Sequence, residues 1–136
     1  MRFDTKIAVA VCGDLAVWQK LNIVAFTISG VAAGEERIMG LPYEDGSGTK
    51  YLPMLGQPVL VFQGDAAGLR ACYGRAMAAG LRLAIYTEEL FSTGNDVDNR
   101  AAVRAKRRDE LSLVGLAFRA PRKLADKILA GLKLHE

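Results

Sequence analysis

Histidine is almost missing from this sequence: His135 is the only one in 136 residues. A Ser-His-Asp or Cys-His machine needs a positioned imidazole as its base. A residue beside the end of a chain is badly placed for that work, because termini are usually mobile. Most familiar acyl-transfer enzymes are therefore not expected, and a metal site would have to be built from carboxylates. Cysteine is nearly as scarce, with Cys12 and Cys72 far apart in sequence. Both read as small buried core residues rather than as ligands or a disulfide. No metal and no cofactor is expected. Long apolar runs are absent too. The longest candidate, Ile23 to Ala33, holds Thr27, Ser29 and Gly30 and falls short of the ~18 residues that cross a bilayer. Near the start, Arg2 is followed by Asp4 and Lys6 rather than by an apolar stretch, so no signal peptide is expected and the anticipated location is cytoplasmic. Strong charge of one sign is also lacking. The net charge is +3 and the pI about 9.0, which is mild for a dedicated nucleic-acid binder.

What is present is an ordinary globular composition, 51% hydrophobic and 24% charged. A chain of this length suits one domain and buries roughly two thirds of its unfolded surface without a staple. Lys6 to Cys12 is short, apolar and β-branched at alternate places, a strand pattern. From Trp18 to Ala33 the period turns helical, with Leu21, Val24, Ala25, Ile28 and Ala32 on one stripe. Asn22, Phe26 and Ser29 make a neighbouring stripe, and Gly34 suits a helix stop. Gly34 to Gln57 is rich in glycine, proline and charge, and Asp45-Gly46 within it signals a small hairpin or flap. Pro58 to Phe62 is a second strand. Asp65 caps a helix from Ala66 to Ala79 that buries Leu69, Cys72, Tyr73 and Ala76. Leu81 to Tyr86 is a third strand, Val97 to Arg108 a helix and Leu111 to Phe118 a fourth strand. Pro121 opens a last helix to Leu132. This alternation predicts a single α/β domain over 1–136: a three-layer α/β/α fold with a mixed, partly parallel sheet of about four strands and an inserted hairpin.

Two motifs need weighing. Gly46-Ser-Gly-Thr-Lys50 has the wrong order for a phosphate loop, and Tyr51-Leu52-Pro53 follows it instead of a helix. Arg100, Arg104, Arg107 and Arg108, with Lys106, make a positive helix face. Such a face is ordinarily solvated, with an RNA contact as the sharper reading. In open α/β sheets, ligands sit beyond the carboxyl ends of the strands. If strands one and three are parallel neighbours, Lys20, Asn22, Tyr86, Thr87, Glu88, Asn95, Asn99 and Arg100 converge there, with Trp18 nearby as a stacking or lid residue. The plainer alternative is helix caps, solvated charges and a core tryptophan.

Three segments, in the right order, resemble the type II peptidyl-tRNA hydrolases. They are Lys6 to Cys12 with Asp14-Leu15 and the helix through Ala33; Gln57 to Phe91; and Leu111 to Leu134, with Pro121, Leu124, Asp126-Lys127-Ile128 and Leu132-Lys133-Leu134. The closer likeness is to an uncharacterised bacterial family placed near those hydrolases by fold. It rests on Trp18-Gln19-Lys20-Leu21-Asn22, Tyr43-Glu44-Asp45 and Glu88-Glu89-Leu90-Phe91 with Asn99-Arg100. The first resemblance implies a hydrolase-like fold, and related folds often pair as homodimers. Its catalytic residues are largely replaced here. Asn22 stands where those enzymes keep a lysine, with Lys20 two residues early. Phe26 stands for their glutamine, Ser29 for their histidine, and Thr87 for their acidic residue with Glu88 adjacent. Gly34 to Gly56 and Ser92 to Glu110 look added. Two functions follow as expectations. In one, Lys20, Asn22 and Glu88 act on a small ester or an aminoacyl or peptidyl substrate, a lysine beside a carboxylate orienting water. In the other, Trp18, Tyr86, Thr87, Asn95, Asn99 and Arg100 hold a small polar or anionic ligand without chemistry.

Overall fold

The structure is a computed structural model that describes residues 2–136. Among the described residues, eleven α-helices and β-strands follow one another. They are β1 Thr5–Cys12, α1 Val17–Gly34, β2 Tyr43–Glu44, β3 Lys50–Tyr51, β4 Val59–Gly64, α2 Ala66–Ala78, β5 Ala84–Thr87, α3 Asp96–Arg104, β6 Leu113–Pro121, α4 Arg122–Ile128 and β7 Lys133–Leu134. The main sheet has five strands in the order β5-β6-β1-β4-β7. Only β1 and β4 pair in parallel, while β6 runs antiparallel to both β1 and β5. Strands β1, β4 and β5 therefore all point their carboxyl ends to one side. The expected strands one and three are parallel as required, but β6 lies between them, so the turns they lead into are separated by one strand.

Central strands covered on both faces should be apolar throughout, and Ile7 to Val11 are all fully buried. Ile7, Val9 and Val11 face α1, with Ile23 and Val31. Ala8 and Ala10 face the side held by α2 and α4, with Cys72, Tyr73, Ala125 and Ile128. Burial pushes the Cys72 thiol up to about 11, so it behaves as a small hydrophobe. The close approach of α1 needs Gly115: a Cβ there would stand 2.2 Å from Ile23 Cγ2.

Three expectations are corrected. Helix α1 turns Ile23, Thr27 and Val31 most deeply inward; of the expected stripe Val24, Ile28 and Ala32 are only partly buried against that core, and Leu21 is 64% exposed. The helix is apolar on nearly every side, so spacing could not fix which side faces the sheet. The buried Thr27 hydroxyl is satisfied by donating to Ile23 O at 2.6 Å. The last helix ends at Ile128, and the chain then turns at Gly131 (φ +86°) to add a fifth strand, β7, beside β4. The flap hairpin forms as a separate two-stranded sheet, but its left-handed residue is Gly48 (φ +82°), not Gly46. Asp45 organises it by accepting from Ser47 N, Thr49 N and the Tyr51 hydroxyl. Those bonds, Tyr51 first, hold its carboxyl below the usual range.

Candidate functional site

Helix α1 starts from Ala16, whose backbone N–H donates to Gln19 Oε1 at 3.0 Å. Its first half divides the carboxyl edge of the sheet into two openings. Residues four apart share a helix side, whereas residues two apart are turned by about 200°. Trp18, Asn22 and Phe26 consequently face one way, toward β5. Val17, Lys20, Leu21 and Val24 face the other way, toward β4.

On the β5 side lies a cleft of about 340 Å³. Its walls are Trp18, Asn22 and Phe26 from α1, Tyr86 from β5, Phe91 from the turn after β5, and Asn95 and Asn99 from the start of α3. Four rings run along it, two pairs meeting edge to face and the middle pair tilted. Phe26 and Tyr86 have centroids 6.1 Å apart, Tyr86 and Phe91 5.0 Å, and Phe91 and Trp18 5.7 Å. Tyr86 is only 6% exposed, and burial raises its phenol above the ordinary value. Among the described residues its hydroxyl has no hydrogen-bond partner within the protein, yet it is not sealed from solvent. The amides are partly committed. Asn22 Nδ2 donates to Trp18 O, which leaves its oxygen free. Asn95 caps α3 by accepting from Asp98 N at 2.9 Å. Asn99 bonds the Thr93 hydroxyl through its oxygen, leaving its amide nitrogen free.

A second cavity, about 560 Å³, lies between α1 and β4. Lys20 opens into it together with His135. His135 is held by its backbone N–H, which donates to Val61 O at 2.8 Å in continuation of β7. The expectation of a poorly placed terminal histidine is therefore corrected. Its one sequence signal is the alternation Leu132-Lys133-Leu134-His135, which is too short to tell a strand from a helix end.

The third cavity, about 460 Å³, is the crevice beyond the ends of β1, β4 and β5, where Glu88, Asp14, Asp65 and Cys12 meet. Burial first, and then the charges of Asp14, Asp65 and Glu88, raise the Cys12 thiol. It stays protonated and is a weak nucleophile. Among the described residues no group of three or more His, Cys, Asp or Glu side chains is placed to hold a metal ion.

The expected site residues are thus distributed. Trp18, Asn22, Tyr86, Asn95 and Asn99 come together in the aromatic cleft. Lys20, Asn22 and Glu88 open into three different cavities. Thr87 is 2% exposed, and its hydroxyl is a buried polar atom without a partner. Arg100 stands in solvent, paired with Asp96 one turn earlier. The other arginines of that face are exposed as well. Phe26, Phe91 and Thr93 are added by the structure. Phe26 already shared the Asn22 stripe in the sequence; Phe91 and Thr93 belong to an irregular segment with no period to place them.

An α/β domain with an aromatic and amide cleft at the carboxyl edge of its sheet is the class that these features define. The chain belongs to the DUF2000 family, described as proteins of unknown function, which matches residues 5–136. A solved structure titled as a protein of unknown function, Atu0240, from Agrobacterium tumefaciens strain C58 is 45% identical. The match covers 99% of this chain and 100% of that one, with a TM-score of 0.96. No curated protein matches the chain. Among the described residues no helix is long and apolar enough to cross a membrane.

Proposed function

We propose that this protein binds a small polar ligand carrying a flat ring, held in the cleft between α1 and β5. The observation that carries this reading is Tyr86. Its ring is buried in a train of aromatic groups that lines the cleft, and its hydroxyl makes no hydrogen bond among the described residues. The tip is open to solvent and not committed to the protein, so a ligand could take the hydrogen bond that water otherwise makes. Trp18 and Phe26, each more than half exposed, offer apolar faces on which a ring gains by stacking. The free Asn22 oxygen and Asn99 nitrogen provide one acceptor and one donor to read its polar edge. At 340 Å³ the space is at the small end of ligand sites, which run from about 300 to 1,000 Å³.

Hydrolysis of a small ester, or of an aminoacyl or peptidyl substrate, has less support. Lys20 and Glu88 are in separate cavities, and general acid–base work needs both within hydrogen-bond reach of one substrate. On this reading the resemblance to the hydrolases concerns the α/β scaffold at most and not its reaction.

The test is a thermal-shift screen of nucleobases, nucleosides and small heteroaromatic metabolites. Each hit is confirmed by quenching of Trp18, the sole tryptophan. A ligand at 100 times its Kd stabilises by about 2.7 kcal/mol. Tyr86→Phe should weaken a hit by roughly tenfold, the value of one hydrogen bond, and Asn99→Ala should do the same. Hits whose affinity is indifferent to both substitutions, or a screen without hits, would remove the reading.

A further inference from the structure

The cavity between α1 and β4 exists because the two faces of the sheet are covered unequally. Helices α2 and α4 share one face, while α1 alone packs on the other among the regular helices. Five strands at about 4.8 Å spacing put the outer two about 19 Å apart. One helix, about 10 Å across, cannot span that width. The part of the face over β4 is left as a groove walled by Val17, Leu21, Val24 and Ala25 from α1 and by Val61 from β4. Val17 and Leu21, 70% and 64% exposed, form its lip.

One end of this apolar groove carries a cation. Lys20 Nζ donates to Gly13 O at 3.0 Å and lies 3.1 Å from His135 Nε2. An ammonium has only protons to offer, so in this contact Nε2 is the accepting nitrogen. The proton on Nδ1 then points to Glu136 O at 2.9 Å, which is consistent with that tautomer. Neither partner of Lys20 is an anion. The ion pairs among the described residues are Lys6–Asp126, Arg100–Asp96 and Arg119–Glu35, and none involves Lys20. Two of the three ammonium protons are used and the third has no protein acceptor. The only other charge at the groove is Glu136, at its rim.

We infer that the groove is a binding site for an amphiphilic carboxylate: the hydrocarbon tail lies along α1 and the head group takes the remaining proton of Lys20. Charge complementarity selects this occupant, since an uncharged apolar guest would leave the cation without a counterion. Titration calorimetry with straight-chain carboxylates from butyrate to decanoate tests it. Affinity should rise roughly fourfold per added methylene until the groove is full, from the transfer free energy of one CH₂. Hexanoate should bind at least tenfold more tightly than 1-hexanol. Lys20→Met, which keeps the stem and removes the charge, should erase that preference, and Lys20→Arg should retain it. Glu136→Gln should tighten hexanoate by removing a competing anion. Equal binding of hexanoate and 1-hexanol, or an unchanged preference in Lys20→Met, overturns the inference. So does a failure of every carboxylate to bind; if light scattering then shows a dimer that Leu21→Gln dissociates, a second copy of the chain fills the groove instead.

Discussion

Gly115 offers the sharpest test of how the fold positions the cleft. It pairs with Tyr86 across the β5–β6 ladder and lies under Ile23 of α1. A methyl group at this position would meet Ile23 Cγ2 at 2.2 Å, and carbon atoms need about 3.5 Å. Gly115→Ala therefore requires a separation of about 1.3 Å that side-chain rotation cannot provide, because a β-branched residue in a helix is held in one χ1 rotamer. Helix α1 itself must lift. Overpacking of this kind costs about 1–3 kcal/mol. The movement also carries Trp18, Asn22 and Phe26 away from Tyr86 and Phe91. Urea unfolding should show the loss of stability at unchanged slope, and the Trp18 emission of the folded protein should shift toward the red. Gly64→Ala makes the control. There the close atom is Leu132 Cδ2, at 2.4 Å, the far end of a flexible side chain that can swing aside, so the cost should be smaller. Combining Gly115→Ala with Ile23→Ala should cost less than the two changes added. If Gly115→Ala alters stability by less than about 0.5 kcal/mol and leaves the emission alone, the claim that this glycine sets the height of α1 is wrong.

Two further outcomes follow from the segment around β5. The Glu89 carboxyl is held below its ordinary value of 4.5, chiefly by the Ser112 hydroxyl, which donates to Glu89 Oε2 at 2.7 Å. A lowered folded value means that the native state prefers the ionised form. Its contribution is complete above pH 4.5 and disappears as pH falls through the folded value. Ser112→Ala should therefore reduce stability at pH 7 and have little effect near pH 2; equal losses at both would refute the assignment. Thr87→Val replaces a buried hydroxyl without a geometric hydrogen-bond partner by a methyl of the same shape and should stabilise by up to about 1 kcal/mol, less whatever that hydroxyl contributes to lowering the Glu89 carboxyl. A loss on thermal unfolding would mean that the hydroxyl has a partner.

The scaffold was largely legible from composition and period. Strands β1, β4 and β6 are short apolar runs, and the cap at Asp65 sits one residue before its helix, accepting from Gly68 N. What the sequence hid has identifiable causes. Helix α1 is apolar on most of its circumference, so its spacing is compatible with several faces, and only the sheet beneath it chose Ile23, Thr27 and Val31. Strand β7 is two residues long, too short for alternation to separate it from the end of a helix. Its neglect concealed His135. The grouping of Lys20 with Asn22 was open to challenge from helical geometry alone. Within an α-helix two steps turn a side chain to the far side, so these two could share a pocket only if the helix began after Lys20. It begins at Val17.

The same geometry explains why one helix serves two separate openings. An α1 that was polar on its outer surface would need only one buried stripe, and the sheet beside it would require other cover. Here both flanks remain apolar, and each ends in a small set of polar groups: amides and a phenol toward β5, an ammonium and an imidazole toward β4. Packing onto the sheet explains Ile23, Thr27 and Val31, but it gives no reason for Trp18 and Phe26 on one flank or Val17 and Leu21 on the other, all more than half exposed. Leaving four large apolar side chains in water on one helix forgoes roughly 1.5–3 kcal/mol each. Scattered single exposures are normal, whereas contiguous ones mark surfaces that are covered in use. The two flanks differ in their polar ends, so a single occupant cannot satisfy both. Variants on one flank should accordingly leave binding on the other intact, since Trp18 and Leu21 line different cavities beside a helix that the sheet holds in place.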